Sequence, residues 1–504
     1  MKAVSLGLFL MVLPGWAGDW PMMYHDPAHT SSTSDSGPAA DTLAWSYQIG
    51  PALGSGWDYI HMSSPAVVDG RVYVGAINGR VYCFDHAGGP PIWFRQLSDT
   101  IFSSPAVVAG KVYVGTWGGD LYCLDAATGD SLWCYHSGGM IETGPTVADG
   151  RVFFGAWYQN YIWCLNGTTG ARLWRATPDP GFMYGHGGLP AVHDSLAVVG
   201  ASQTGVSTKF YAYREFSSTP DTAWVYSVAA GDNHQAPAIA DSLVLGSVDD
   251  GWLYCFGETS GTSLWSQRSA PGYSGDPSCV SIAGNRGYYG HEVGYVYCRD
   301  LTSGGLVWQS PSLGGHCGVG SASLSGNGMI YVGTGYAGGG PSTKALFCLD
   351  QATGDTLWSH TTGGYVTSSP AISNGMVFVT SFDGYLYAFG TWGAVAVDEG
   401  SSTPALVHEL PALQVSPNPF TNSVTLALAG KALHRATGLR VYDRQGRPVK
   451  NLPLPQTSTA DFRSPLLLSW DGTDGMGRRV PPGIYFCALK SETENLTRKL
   501  ILSH

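Results

Sequence analysis

Charge is what this sequence has least of. Asp, Glu, Lys and Arg together make up 12% of its 504 residues, about half the ordinary share of ~25%. Long stretches with apolar residues at helical spacing are missing, which excludes a helical bundle. The leading apolar run, Ala3 to Leu13, is too short to cross a bilayer, and no other stretch approaches the required length. There is no adjacent cysteine pair, no Cys-x-x-Cys and no haem-attachment motif. A Gly-x-Ser-x-Gly elbow, a His-Glu-x-x-His helix and a phosphate-binding loop are also absent. The common hydrolase, zinc-protease and nucleotide-binding chemistries therefore have no motif behind them.

Glycine and tryptophan are abundant instead, with 69 and 17 copies. Eight tryptophans, Trp45, Trp93, Trp133, Trp174, Trp224, Trp265, Trp308 and Trp358, recur at gaps of 40 to 50 residues. A period of this length built from short strands reads as propeller blades. One unit runs Ser103 to Val108, Lys111 to Gly115, Leu121 to Asp125 and Leu132 to Tyr135, with Ala109-Gly110 and Thr128-Gly129 in its turns. Asp69-Gly70, Asp149-Gly150 and Asn374-Gly375 repeat the first turn, and such dipeptides supply the positive φ of two-residue hairpins. The third strands are apolar on both faces and need cover on both sides, which adjacent blades provide. The first Trp strand, Trp45 to Ile49, has no blade before it, and the last third strand, 385–389, has no Trp strand after it. Pairing of 45–49 with 384–389 is expected to close the ring. The fold class read from this pattern is all-β, an eight-bladed β-propeller followed by a small immunoglobulin-like β-sandwich.

Asp125-Ala-Ala-Thr-Gly-Asp-Ser-Leu-Trp133 and Asp350-Gln-Ala-Thr-Gly-Asp-Thr-Leu-Trp358 resemble the tryptophan-docking repeat of quinoprotein-type (PQQ-like) β-propellers. Asp19-Trp20-Pro21 with His25-Asp26-Pro27 and Thr30 resembles the lead-in of the same family. The resemblance spans residues 19–392 and implies that each Trp docks between blades. Some members are dehydrogenases that hold the quinone PQQ beside calcium in the central channel. No cofactor-binding residue is matched by motif here, so no cofactor is expected outside that alternative.

Residues 1–17 read as a signal peptide, with Lys2, a short apolar core and Gly15-Trp16-Ala17 at its end. Export invites a disulfide reading of the ten cysteines. Six of them, Cys83, Cys123, Cys164, Cys255, Cys298 and Cys348, occupy one site in different blades and read as small buried apolar residues. A simple hairpin register places Cys134 opposite Cys123, which makes Cys123–Cys134 the candidate bridge. Residues 411–504 carry 12 basic and 6 acidic residues, a net of +6; subtracted from the totals of 26 and 37, this leaves −17 for residues 1–410. An acidic propeller disfavours nucleic acid as a partner.

The repeat stops after Phe389, and 393–410 is a linker by composition. In 411–504, Ser416-Pro-Asn-Pro-Phe420, Val441-Tyr442-Asp443, Trp470-Asp471-Gly472 and Pro482-Gly483-Ile484-Tyr485-Phe486 resemble the C-terminal sorting domain of type IX secretion substrates. That domain in turn is similar to the immunoglobulin-like module of the flagellar hook cap. The resemblance implies the type IX machinery as a partner and a secreted or outer-surface location on a Gram-negative-type bacterium.

In such a ring the loops that lead into the inner strands share one face with the turns between second and third strands. This loop face is irregular; the other carries short repetitive turns. Candidate ligand-binding residues on it are Trp57, Tyr59, His61, Trp117, Glu142, Trp157, Tyr158, Tyr184, His186, His234, Asp276 and His316. The aromatics suit stacking on sugar rings or gripping an extended peptide. His61, His186, His234 and His316 stand near the mouth of the channel, where four imidazoles are a candidate transition-metal cluster. The function read from the sequence is a non-catalytic binding propeller for an extracellular protein, peptide or glycan, with a PQQ-dependent dehydrogenase of alcohols or sugars as the alternative.

Overall fold

A computed structural model describes residues 18–53, 62–157, 159, 161–179, 188–203, 207–214, 219–228, 235–271, 275, 277–317, 319–335 and 342–392 of the first unit. In the second unit it describes 413–416, 424–428, 436–443, 447–452, 466–475, 478–481, 483–491 and 495–502. Residues 1–17, read from the sequence as a signal peptide, and 393–410, read as a linker, lie outside the described residues.

Each repeat forms one antiparallel sheet of four strands, and eight such sheets lie between Leu43 and Gly390. The chain starts with β1 (Leu43–Gln48), followed by β2 (Ala66–Val68), β3 (Arg71–Gly75), β4 (Arg80–Asp85) and β5 (Trp93–Gln96). Strands β2 to β5, from inside to outside, make blade 1. Asp69 and Gly70, at φ 51° and 72°, turn β2 into β3 as a hairpin of this length requires. Blades 2 to 7 follow in chain order, and β1 completes blade 8 by pairing with Tyr385–Gly390, with Trp45 opposite Ala388 and Gln48 opposite Tyr385.

The seams between blades repeat one device. In blade 1 Tyr73, Cys83 and Trp93 stand side by side across three strands. The Tyr73 hydroxyl and the Trp93 indole N–H both donate to Ala126 O of blade 2, at 3.2 and 3.1 Å. Gly129, at φ 74°, lies against the Trp93 ring so closely that a Cβ would sit 2.6 Å from it. Tyr113 and Trp133 treat Gly167 O in the same way. The Thr-Gly turn is thus a landing site for the preceding blade's indole. The cysteine of each ladder is a small filler, since Ala212 and Ala388 take its place opposite Trp224 and Trp45.

One expectation is corrected by the register. Cys134 pairs with Tyr122, and Cys123 pairs with Trp133, because the bulge falls beyond Cys123. Successive strand residues face opposite ways, so Cys123 is buried, Cys134 is exposed, and both are free thiols. The inner strand of blade 6 is Ser281–Ala283, preceded by Val280 where Pro65 and Pro105 precede those of blades 1 and 2.

A belt of hydroxyls ties the inner strands together. Ser63, Ser103, Ser278 and Ser368 each accept from a backbone N–H of their own blade's second strand, at Gly75, Gly115, Gly290 and Thr380. The next serine crosses the seam: Ser64 N donates to Ser104 Oγ, Ser369 N to Ser64 Oγ and Ser321 N to Ser369 Oγ. Polar backbone at the channel wall is thereby satisfied without water.

The N-terminal segment fills the ring. Trp20 pairs with Val67. Pro21 O then accepts from Val107 N, Pro27 O from Val192 N, Ala28 O from Ile239 N, Thr30 O from Ile282 N and Ser31 O from Leu324 N. His29 Nδ1 donates to Pro237 O at 3.0 Å and its Nε2 lies 3.1 Å from Thr146 Oγ1. Ser36 O accepts from Gly375 N. The segment therefore touches all eight blades, and Trp20, Met22, Met23, Tyr24 and His29 are buried.

The second unit contains a three-stranded sheet, Leu413–Ser416, Val424–Leu428 and Leu466–Trp470, and a four-stranded sheet of Ala436–Asp443, Pro448–Leu452, Gly483–Ser491 and Asn495–Leu502. Trp470 is fully buried and donates its indole N–H to Thr473 O at 2.8 Å.

Candidate functional site

The plug divides the ring into two unlike faces. Asp19 Oδ1 accepts from Asp69 N, and Asp35 Oδ2 from Asn374 N, so the segment runs past the inner hairpin turns of one face. Burial raises the Asp19 carboxyl to about 6. The opposite face is the loop face.

On the loop face one structural position recurs in each described turn between second and third strands. Its backbone N–H ties the turn to the loop before it: Trp117 N donates to Thr100 O, Trp157 N to Met140 O and Phe382 N to Tyr365 O. Phe382, Ile77, Trp117 and Trp157 hold this position in blades 8, 1, 2 and 3, and Asp249 and Glu292 hold it in blades 5 and 6. Apolar and aromatic side chains thus occupy one arc and carboxylates another. Trp117 packs edge-on against Phe102, centroids 4.8 Å apart, and both Trp117 and Trp157 are half-buried.

Other candidates are less exposed than their loop positions imply. Glu142 is 7% exposed and His316 6%. His316 is fixed by its own backbone, which exchanges two hydrogen bonds with Gly335. His291, fully buried, lies 3.1 Å from Ser269 Oγ. Asp383 accepts from the Tyr387 hydroxyl at 2.6 Å and from Gly363 N at 2.8 Å, which makes it a turn residue. Burial raises the Asp250 carboxyl above its ordinary value. Trp57, Tyr59, His61, Tyr158, Tyr184, His186, His234 and Asp276 lie outside the described residues, and with them three members of the four-histidine cluster, all but His316.

Sequence reasoning missed the plug residue His29 and the aromatic Phe102. His29 carries no repeat signal, and Phe102 occupies a position held by Met62 and Thr367 in other blades.

Eight sheets around a plugged channel, latched by docked tryptophans, define a β-propeller of the PQQ-repeat class. The family model described as outer membrane protein assembly factor BamB matches residues 34–120, 103–246, 249–337 and 294–460, and the chain belongs to that family. No curated protein sequence matches it. Among solved structures it is similar to BamB from Moraxella catarrhalis, with 16% identity, a TM-score of 0.56, and coverage of 70% of this chain and 100% of that one. A europium-containing methanol dehydrogenase gives 17% identity and a TM-score of 0.59 over 74% and 98% of the two chains. Quinohemoprotein alcohol dehydrogenase from Comamonas testosteroni gives 18% and 0.59 over 82% and 85%. At these identities the likeness is one of fold.

Proposed function

We propose that this chain is a secreted or cell-surface, non-catalytic propeller that binds a protein, peptide or glycan partner through its loop face. The observation that carries this reading is the plug. It covers the inner strands along the channel and leaves the loop face as the variable surface. Trp117 and Trp157, at one structural position in neighbouring blades, offer broad planar contact there at low entropic cost. The family description names an outer membrane protein assembly factor. The C-terminal unit, with two sheets and a net charge of +6 over 411–504, is proposed as an immunoglobulin-like sorting domain recognised by the type IX machinery. No helix among the described residues is long and apolar enough to cross a membrane.

The alternative, a quinoprotein dehydrogenase, draws on the eight blades and on the titles of two structural neighbours. The resemblance to quinoprotein dehydrogenases implies a quinone in the channel. Here His29 joins Thr146 of blade 3 to Pro237 of blade 5, and Ser31 Oγ lies 3.1 Å from Ser321 Oγ of blade 7. The chain's own residues cross this part of the channel, which favours the non-catalytic reading. Reconstitution with PQQ and calcium, followed by a dye-reduction assay on alcohols and sugars, tests the choice. No turnover and no retained quinone are expected; dye reduction would overturn the non-catalytic reading.

A further inference from the structure

We propose that the seam between blades 4 and 5 holds one divalent transition-metal ion through His193, Asp194 and Glu258. It lies on the face of the inner hairpin turns, away from the loop face, and is independent of the function proposed above. One ligand atom from each residue lies within 4.8 Å of the others. His193 Nδ1 is 2.8 Å from Glu258 Oε1 and 4.0 Å from Asp194 Oδ2. Around a tetrahedral zinc with bonds of about 2.0–2.2 Å, ligand atoms stand roughly 3.3–3.5 Å apart. The spacings of His193 to its two partners bracket that value, and the exposed Asp194 carboxylate is free to rotate into place.

Comparison with the other seams shows that this one departs from the pattern on both sides. His193 ends its inner strand, where Val68, Val108, Ala148, Ala240 and Ala283 end theirs. Glu258 opens the turn whose carbonyl receives the preceding indole, here from Trp224 at 2.6 Å. The same position is Ala126 in blade 2 and Leu301 in blade 6. Val68 and Ala126 belong to one apolar cluster, and Ala240 and Leu301 to another. The seam of blades 4 and 5 replaces these apolar residues by an imidazole and a carboxylate whose side chain is 2% exposed.

No cation opens the second strand of blade 4 either. Arg71 opens that of blade 1 and reaches across its seam to Ala126 O at 3.4 Å. Lys111, Arg151 and Arg286 open those of blades 2, 3 and 6, whereas Leu196 opens that of blade 4, as Leu243, Met329 and Met376 open those of blades 5, 7 and 8. A buried carboxylate needs a compensating positive charge. An imidazole with two carboxylates selects a zinc-class ion over calcium or magnesium, which prefer all-oxygen shells. The donors are held in place by backbone: Glu258 N donates to Ser242 O at 2.8 Å, and Asp194 sits in the hairpin turn at φ 43°. Pro27 O accepts from Val192 N next door, so the ion would also brace the plug.

The test uses the full chain, stripped with chelator and titrated with Zn2+ and Co2+. About one equivalent of Zn2+ is expected, with a rise in melting temperature and a tetrahedral-type Co2+ absorption spectrum. Asp194→Asn, an exposed change, should leave the metal-free melting temperature unaltered and weaken Zn2+ binding by about tenfold or more. His193→Gln should abolish it. The proposal is overturned if the wild type binds no Zn2+, or if both variants bind it as the wild type does. His193 and Glu258 would then be a hydrogen-bonded pair that merely fastens the seam.

Discussion

Trp358 donates its indole N–H to Pro38 O at 3.1 Å, across 320 residues of chain. Trp45, Trp93, Trp133, Trp224, Trp265 and Trp308 find their carbonyl in the next blade's turn, but blade 8 takes its outer strand from the N-terminus and has no such turn. Pro38 substitutes for it, and the Tyr331 hydroxyl donates to the same carbonyl at 3.0 Å. The segment that plugs the channel therefore also finishes the last seam.

Deleting residues 18–38 should abolish the cooperative fold. Burial of a large apolar side chain contributes about 1.5–3 kcal/mol. Loss of Trp20, Met22, Met23 and Tyr24, all 4% exposed or less, takes away a large part of a net stability of about 5–15 kcal/mol. Thermal unfolding followed by tryptophan fluorescence checks this. Addition of a peptide covering 18–42 should restore part of the transition.

Glycine in the Thr-Gly turns should be needed for space as well as for backbone. Gly110 and Gly129 both have positive φ, 72° and 74°, but a Cβ meets nothing within 4 Å at Gly110 and the Trp93 ring at 2.6 Å at Gly129. Gly110→Ala is expected to cost about 1 kcal/mol from backbone strain alone. Gly129→Ala should cost a further ~1–3 kcal/mol from displaced packing. Equal losses in denaturant titrations would refute the docking role.

The thiols should separate by exposure. Without reductant, Cys134 should be alkylated in the native protein, while Cys123, buried and with its thiol pushed up to about 12 by burial, should react only after unfolding. Cys123→Ala should be nearly neutral, since Ala212 fills the same position in blade 4. An intact mass showing a Cys123–Cys134 bridge would contradict the register.

Acid should loosen the plug through His29. Burial lowers its pKa to about 4, against about 6.5 in the unfolded chain. Between those values the unfolded state binds the extra proton, so stability rises with pH across this window and falls as the pH drops through it. The loss is on the order of 3 kcal/mol once the pH is below about 4. His29→Gln should flatten this part of the stability profile, measured by urea unfolding at a series of pH values.

The blades were legible because a period of 40 to 50 residues repeats one hairpin grammar, and the roles of Trp93, Gly129 and Cys83 follow from it. What lies outside the period was not. Trp20 to Ser36 hydrogen-bonds to all eight blades and repeats nothing, so it read only as a lead-in. The partners Ser64 and Ser369 stand 305 residues apart, and the serines before the inner strands gave no sign of a belt. A single bulge after Cys123 shifted the register by one residue and turned Cys134 outward. On the loop face Trp117 and Trp157 could be placed by their turns, but not the packing of Trp117 on Phe102 or the burial of Glu142, which depend on neighbouring blades.

The binding face is tested most directly by screening purified full-length protein against glycan and peptide arrays. The wild type should be compared with Trp117→Ala/Trp157→Ala and with the outer-rim variant Arg95→Ala. Binding by the wild type and the rim variant, lost at least about tenfold in the double variant, is the expected result. Binding that survives the double variant, or no ligand for any of the three, would contradict a loop face that grips its partner through these two rings.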